Sequence, residues 1–370
     1  MTLAEYRTLG RSGLAVSPLA LGTMTFGTAR WGSSAATSRD IFNSYLDAGG
    51  NFIDTADVYS GGRCEEMLGE FIADRSVRDG VVIATKSGFS TGHGVHLGGN
   101  GAKHVRDALE GSLRRLRTDY VDMLWVHVWD SVTPAEELLE TMSNLIKAGK
   151  VRYWGISNTP AWYVAKVATL AAVRGQPAPI ALQYFYSLVN RDIEEEFVPL
   201  AAEFKMAIQP WSPLAFGMLT GKYDRATVAA AAPRDAGLPR DAANPAAERP
   251  ADDKRLDGAN PFGDTLFTER NWSVVEAVKR VAEACGESAA LVALAWVIQR
   301  PGVSSTLMGV SKVAQLHDNI AALKIRLSDA HQAELDQASA TDQKMLYRLF
   351  APPVRQHVVF GGCPVRSWAE

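Results

Sequence analysis

Short apolar runs alternate with longer amphipathic stretches along most of the chain. Eight runs of four to seven residues are composed largely of apolar side chains: 19–22, 51–54, 81–86, 121–127, 153–157, 180–184, 207–210 and 304–309. Runs of this length between polar loops and helical patterns are typical of buried strands. The pattern therefore predicts eight strands that alternate with helices.

The stretches between these runs carry signals for helices. In 104–117, four apolar residues recur at the spacing that places them on one helical face: Val105, Leu109, Leu113 and Leu116. The segment Thr133-Pro134-Ala135-Glu136 predicts a helix start, with threonine as the cap, proline at the first helical position and an early acid. Gly149 predicts the end of that helix.

Strands that alternate with helices predict a parallel sheet, and eight repeats predict its closure into an α/β structure, the (β/α)8 or TIM barrel. Residues 6–21 form a β-hairpin by their turn chemistry, around 10–13. Residues 225–265 have almost no periodic apolar signal and are predicted as a long loop after strand 7. We expect the C-terminal tail, 341–370, to pack over one end of the barrel, within a single domain spanning 1–370.

Composition excludes several classes of protein. The chain is 47% hydrophobic and 21% charged with a net charge of −3, so we expect a soluble protein with neither nucleic acid nor a membrane as partner. The three cysteines are far apart and odd in number, which argues against a disulfide framework or a paired-cysteine metal site. The start lacks the apolar stretch of a signal peptide, and we therefore expect a cytoplasmic location.

Polar residues lie where three neighbouring predicted strands end. Asp54 ends strand 2 and Tyr59 follows it, Lys86 ends strand 3, and His127 ends strand 4. Active sites of α/β barrels lie at the carboxyl ends of the strands, so these four side chains should share one rim. Each has a structural alternative, such as an Asp–Lys ion pair or a buried core histidine, but their common position favours catalysis.

This set of groups suits acid catalysis at a carbonyl. A phenol is a weak acid at neutral pH, and a neighbouring ammonium lowers its pKa. We expect Lys86 to have this effect on Tyr59, with Asp54 holding Lys86 charged. His127 would donate a hydrogen bond to the substrate oxygen as charge develops there. No side chain supplies a hydride, so the reaction would need a redox cofactor.

The segments 51–59, 83–86 and 124–127 resemble the motifs of the aldo-keto reductase family, in the right order and on the right predicted elements. The branch that it resembles contains bacterial reductases and potassium-channel β-subunits. The resemblance implies that Asp54, Tyr59, Lys86 and His127 form a catalytic tetrad, with Tyr59 as the general acid. It also implies reduction of aldehydes or ketones, or oxidation of secondary alcohols.

The resemblance also implies the cofactor, NADPH or NADP+. Ser157, Asn158 and Gln183 match the residues that hold the nicotinamide carboxamide, and Trp211 matches the aromatic residue that stacks on the ring. Other residues assigned to the cofactor are Gly22, Thr23, Met24, Ser212, Leu214, Gly217, Leu219, Gly221, Lys222, Gly309, Ser311, Lys312 and Asn319. Gln315 replaces the arginine that usually grips the 2′-phosphate. Lys312 and Arg255 are candidate substitutes, and use of NADH stays open.

Four aromatic residues on predicted rim loops are candidates for a substrate wall: Phe26, Trp31, Phe89 and Trp129. Such a wall would suit a bulky apolar carbonyl compound. His93 and His96 are spaced like a metal pair, but a third ligand is missing from the pattern and we expect no metal. A homo-oligomer is compatible with the sequence.

Two other functions stay open at this point. One is a redox-sensing regulatory subunit that binds NADPH and turns it over poorly. The other is a barrel lyase or aldolase in which Lys86 forms a Schiff base, which requires a neutral amine and is opposed by Asp54.

Overall fold

The computed structural model describes residues 1–28, 31–223, 225, 256, 266–342 and 344–366. Its strands are β1 (Arg7–Thr8), β2 (Ala15–Val16), β3 (Leu19–Gly22), β4 (Phe52–Asp54), β5 (Val82–Ser87), β6 (Val121–Val126), β7 (Val151–Ser157), β8 (Ala181–Phe185), β9 (Ala207–Trp211) and β10 (Thr306–Gly309). Its main helices are α1 (Ala35–Asp47), α2 (Arg63–Arg75), α3 (Ala102–Leu116), α4 (Ala135–Lys147), α5 (Ala161–Arg174), α6 (Phe197–Glu203), α7 (Glu269–Cys285), α8 (Ala289–Ile298), α9 (Val313–Ala321) and α10 (Asp329–Ala338).

Eight parallel strands form the barrel, in the order β10-β3-β4-β5-β6-β7-β8-β9. The ring closes where Ile208 of β9 forms a parallel bridge with Val303, just before β10. The predicted (β/α)8 fold and all eight strands are confirmed, with bounds that differ by at most two residues. Asn51 lies outside β4, and its backbone N–H donates to the Ser17 hydroxyl oxygen at 2.9 Å.

The interior of the barrel is filled by apolar side chains and closed at one end by the hairpin of β1 and β2. Leu9 and Val16 of the hairpin pack with interior residues of the strands: Ala20, Phe52, Val82, Ala84, Met123, Trp125, Ala181, Ala207 and Leu307. The hairpin lies under the starts of β8 and β9, where Gly10 approaches Ile180 and Ala207. The hairpin thus covers this end of the barrel and leaves uncovered the opposite end, where the strands terminate.

Gly10 permits this close approach, because it has a φ of +61° and a Cβ atom there would lie 2.2 Å from the Ile180 carbonyl oxygen. We expect Gly10→Ala to reduce the free energy of unfolding by about 3 kcal/mol, through backbone strain and overpacking. Gly13→Ala in the same hairpin is the matched control, since a Cβ there meets no atom within 4 Å. Urea unfolding of both variants measures this, and equal stabilities would contradict the close packing.

The predicted helix signals are confirmed with one correction. Val105, Leu109, Leu113 and Leu116 are all buried on α3. Pro134, however, is the cap residue of α4 and not its first helical residue, with ψ at 144°. Thr133 does not cap the helix because its hydroxyl donates to Asp130 Oδ2 at 2.6 Å.

The described part of the tail contains short helical segments, Met345–Arg348 and Pro352–Val354. It contacts the loop between β8 and α6, where the Tyr347 hydroxyl donates to Glu196 and Lys344 lies 3.8 Å from Glu195. Most of the predicted loop 225–265 lies outside the described residues. No single helix among the described residues has both the length and the hydropathy to cross a membrane. The helices α7 and α8 meet these two criteria only when taken together, and they are bent by 98° relative to each other.

Candidate active site

Lys86 lies at the centre of a buried polar cluster at the open end of the barrel. Its ammonium donates a hydrogen bond to Asp54 Oδ1, a second to the Thr55 carbonyl at 2.8 Å and a third to the Tyr59 hydroxyl at 3.3 Å. Adjacent parallel strands carry these groups, because β4 ends at Asp54 and β5 contains Lys86. Asp54 and Lys86 are each about 1% exposed, so water does not screen this ion pair.

The ionisation of the cluster follows from its burial and its charges. Burial is the largest single effect and lowers the Lys86 pKa, but the charges and hydrogen bonds of Asp54 and Tyr59 together outweigh it and raise the Lys86 pKa above its ordinary value. Burial raises the pKa of Asp54, and Lys86 offsets part of this rise. Burial also raises the pKa of Tyr59. The charge of Lys86 lowers the pKa of Tyr59, as predicted, but burial raises that pKa by more. The expectation of a net lowering of the Tyr59 pKa was therefore wrong.

His127 lies at the same rim as a neutral imidazole. Burial, and then the charge of Lys86, hold its pKa well below the usual value. Its ring packs edge-on against Phe89, with centroids 4.3 Å apart, and lies 6.0 Å from the Tyr59 ring. Nδ1 is buried without a hydrogen-bond partner among the described residues. A neutral imidazole can donate one hydrogen bond without adding positive charge beside Lys86.

Gln183 connects the ion pair to the next strands. Its amide nitrogen donates to Asp54 Oδ2 at 2.9 Å and to Gln209 Oε1 at 2.8 Å. These two bonds use both amide hydrogens, so its side-chain oxygen is the group left for a ligand. The role of Gln209, fully buried on β9, was not anticipated. Its position near the end of an apolar strand was the only signal in the sequence.

Asn158 brings the ends of three strands together. Its amide donates to the His127 carbonyl and to Ser157 Oγ, each at 2.9 Å, and its oxygen accepts from the Trp211 indole at 3.3 Å. The indole stacks on Phe185, with centroids 4.9 Å apart and planes 20° apart. Phe185 was also missed, because this contact depends on how β8 and β9 pair.

The loop after β9 has an unusual backbone. Ser212, Ala215, Phe216, Gly217 and Gly221 all have positive φ. A Cβ at Gly217 would lie 2.8 Å from the Lys222 ammonium, so glycine there lets this cation fold back over the loop. Leu214 is half-buried, whereas Leu219 is fully buried in the core.

The first and last barrel strands meet beside this loop. Gly22 pairs with Gly309, and the Thr25 hydroxyl donates to the Val310 carbonyl at 2.7 Å. Thr23 is buried and donates to the Asp54 carbonyl, while Met24 is half-buried. The structure thus brings the N-terminal part of the proposed cofactor site next to its C-terminal part.

The start of α9 follows β10 directly. The Ser311 N–H and hydroxyl both donate to Gln315 Oε1, at 2.9 and 3.3 Å. Lys312 is exposed as the cap residue of α9, and Asn319 is buried on the same helix. Arg255, the other proposed phosphate ligand, lies outside the described residues.

The proposed substrate wall is only partly supported. Phe89 is 42% exposed beside His127, and Trp129 is half-buried next to Trp162 and Tyr163. Phe26 is fully buried in the core, so it lies behind the rim and does not line it. Trp31 is half-buried on the loop before α1. Trp162, 60% exposed on α5, extends the aromatic surface and was not predicted.

Comparison with known proteins gives the family. The aldo/keto reductase family model matches residues 18–340, and the chain belongs to this family. A probable voltage-gated potassium channel subunit beta from Oryza sativa subsp. japonica is 34% identical over 87% of this chain and 92% of its own length. Norsolorinic acid reductase B from Dothistroma septosporum is 32% identical over 92% of this chain and 83% of its own length.

A third relative is an aryl-alcohol dehydrogenase [NADP(+)] from Phanerodontia chrysosporium, 30% identical over 91% of this chain and 86% of its own length. Family membership, with relatives named as reductases and dehydrogenases, makes the protein an oxidoreductase. The family resemblance stated from the motifs at 51–59, 83–86 and 124–127 is confirmed.

Proposed function

We propose that the protein is an NADP(H)-dependent oxidoreductase that interconverts aromatic aldehydes or ketones and their alcohols. The observation that carries this proposal is the position of Lys86, which donates to Asp54 and Tyr59 at once. A buried ammonium that contacts a phenol serves a proton-transfer function better than a structural one, because Asp54 alone would satisfy its charge.

Each member of the cluster has a role in this reaction. Tyr59 donates its hydroxyl proton to the substrate oxygen during reduction and takes it back during oxidation. The raised pKa of Tyr59 keeps that proton on the phenol at neutral pH, and Lys86 stabilises the phenolate left after transfer. Asp54 keeps Lys86 charged, and neutral His127 donates a hydrogen bond to the same substrate oxygen. A bound nicotinamide would supply or accept the hydride.

The strand ends of the barrel fit a dinucleotide. The Gln183 side-chain oxygen can accept from a carboxamide, and the Trp211–Phe185 stack offers a flat aromatic surface. The loop 212–222 and the start of α9 supply backbone N–H groups and the cations of Lys222 and Lys312, which suit phosphate groups. Gly22, Gly309 and Ser311 border this path along the rim.

Preference between the two nicotinamide cofactors depends on the start of α9. Gln315 accepts a hydrogen bond from the Ser311 N–H. The family resemblance places at position 315 an arginine that would contact the 2′-phosphate. We propose NADPH as the main cofactor because Lys312 is exposed at the same helix start. The name of the Phanerodontia relative, which includes NADP(+), supports this choice.

The aromatic rings of Phe89, Trp129 and Trp162 at the rim support aromatic substrates. The name of one relative, an aryl-alcohol dehydrogenase, agrees with this. We expect Trp129→Ala to lower kcat/KM for aromatic aldehydes about tenfold, since one aromatic contact contributes about 1 kcal/mol or more. Short aliphatic aldehydes should be affected less than threefold. Steady-state kinetics with both substrate classes measure the ratio, and an equal loss for both would exclude Trp129 from aromatic recognition.

The experiment that tests the proposed function is to mix the purified protein with NADPH and a panel of aromatic aldehydes, bulky ketones and aliphatic aldehydes, and to follow absorbance at 340 nm. We expect oxidation of NADPH, fastest with aromatic substrates and slower with NADH. Failure to bind NADPH would reject the cofactor assignment.

A regulatory subunit is the second candidate, favoured by the similarity to the rice channel subunit. It predicts tight NADPH binding without turnover on any member of the panel. The Schiff-base alternative is disfavoured by the raised pKa of Lys86, since the amine must be neutral to attack a carbonyl. Borohydride with a carbonyl substrate should leave no adduct on Lys86.

A further inference from the structure

A second group of reactive side chains lies away from the catalytic end. Cys285 is the last residue of α7, and its Sγ lies 3.3 Å from Nδ1 of His331 on α10. The other end of α7 contacts the loop after β8, where Arg270 donates to the Val189 carbonyl. A helix of 17 residues is about 25 Å long, so Cys285 lies near the opposite end of the barrel.

Cys285 and His331 open into a surface cleft of about 450 Å³. The polar residues of the cleft are Cys285, Glu287, Lys324, Arg326, Ser328 and His331. This volume falls within the range of small-molecule sites. Neither residue of the Cys–His pair is fully buried, so a ligand in the cleft can contact the sulfur.

The cleft favours anions. Lys324 and Arg326 are exposed and form no ion pair among the described residues, whereas Glu287 is the one carboxylate in the lining. Within the lining itself, two cations thus stand against one carboxylate.

We propose that Cys285 is a site of thiol–disulfide exchange with small disulfides that carry carboxylates. The histidine beside the thiol distinguishes Cys285 from the other two cysteines. Cys64 is buried and its thiol donates to Thr23, while Cys363 is exposed on the tail. The proposal does not depend on the proposed function, because none of these residues belongs to the catalytic cluster.

The exchange balances without another reactant. Nδ1 of His331 accepts the proton of the Cys285 thiol, and the thiolate attacks one sulfur of the disulfide. A new S–S bond forms with Cys285 as the old one breaks. The leaving thiolate takes the proton back from His331 and departs as a free thiol. Cys285 is oxidised to the mixed disulfide, and half of the small disulfide is reduced.

Glutathione disulfide is the probe that tests this site, since it carries carboxylates on both halves. The full chain is incubated with it at pH 7, and peptide mass spectrometry follows each cysteine with time. We expect Cys285 to gain the glutathionyl group at least about tenfold faster than Cys363, with Cys64 unmodified. Equal or faster modification of Cys363 would overturn the proposal.

Two variants test whether Cys285 reacts because His331 acts as a base or only because the thiol is exposed. His331→Ala should slow modification of Cys285 about tenfold and leave Cys363 unchanged. His317→Ala, which removes an exposed histidine of α9 outside the cleft, is the matched control and should change neither rate. Cys64 reports folding, because a variant that unfolds would expose it. An unchanged Cys285 rate in His331→Ala, with Cys64 still protected, would also overturn the proposal.

The role of the cations has its own comparison. The double variant Lys324→Ala/Arg326→Ala should slow the reaction with glutathione disulfide about threefold to tenfold at low salt. The same variant should react normally with the uncharged bis(2-hydroxyethyl) disulfide. If the double variant and the wild-type protein react with glutathione disulfide at the same rate, the preference for carboxylates is contradicted.

Discussion

Replacing Tyr59 with phenylalanine is expected to lower kcat for aldehyde reduction by about a thousandfold, within the usual range for loss of a general acid. The hydroxyl contacts Lys86 at 3.3 Å and is the proposed proton donor. Lys86 keeps its bonds to Asp54 and Thr55, so the variant should fold normally. NADPH affinity, measured by fluorescence titration, should stay within about twofold.

Tyr6→Phe is the matched control, because Tyr6 is 49% exposed and its hydroxyl donates to the Gly49 carbonyl far from the cluster. This control should keep normal kcat. If Tyr59→Phe retains more than about a tenth of the kcat, another group donates the proton and the role of Tyr59 is wrong.

Lys86→Met should produce the largest combined loss of activity and stability. The substitution removes the partner of a carboxylate that is about 1% exposed, and breaking one side of a buried ion pair costs about 3 to 5 kcal/mol. kcat should also fall by at least about a thousandfold, since the phenolate of Tyr59 would lose its stabilising charge. Lys103→Met breaks the exposed pair with Asp107 and should cost less than about 1 kcal/mol.

The stability loss of Lys86→Met should depend on pH. Burial already raises the pKa of Asp54, and removal of Lys86 raises it further. A carboxyl whose pKa is higher in the folded state favours folding while it is protonated and opposes folding as pH rises. The deficit should therefore shrink when pH falls from 7 toward about 4, the pKa of an unfolded aspartate.

A double variant separates stability from chemistry. Asp54→Asn combined with Lys86→Met removes both charges and should recover about half or more of the lost stability. Its activity should stay as low as that of Lys86→Met. Urea unfolding at two pH values measures these effects. A Lys86→Met protein as stable as the Lys103→Met control at pH 7 would contradict the buried ion pair.

The barrel was predictable because its signals are local. Each strand is a short apolar run, and each helix shows periodic burial within its own segment, as in α3. The position of Asp54, Tyr59, Lys86 and His127 at one rim was predictable for a related reason, because parallel strands place their carboxyl ends at one rim whatever the side-chain details. Asp54, Lys86 and Tyr59 meet there through hydrogen bonds that adjacent strands determine.

Features that depend on contacts between distant segments were not predictable. Gln209 and Phe185 reach the site through the pairing of β8 with β9, and Trp162 joins the rim through a helix face. The burial of individual side chains was also not predictable from the sequence. Phe26 follows the first barrel strand closely, as a rim residue would, yet it packs into the core.

Competing electrostatic effects were also beyond the sequence. The direction of the Tyr59 pKa depends on whether Lys86 or loss of hydration is larger, and only the buried geometry decides this. The contact between Cys285 and His331 was also not predictable, because the two residues are 46 positions apart. The order of residues gives no sign that helices α7 and α10 bring them together.

Transfer of an isotopic label tests the central claim most directly. NADPH deuterated at C4 of the nicotinamide is incubated with the protein and an aromatic aldehyde, and the alcohol is examined by mass spectrometry and NMR. The proposed function predicts deuterium on the carbinol carbon, one alcohol formed for each NADPH consumed, and loss of this transfer in Tyr59→Phe. Tight binding of NADPH with no label in any product would contradict it and identify a cofactor-binding regulatory subunit.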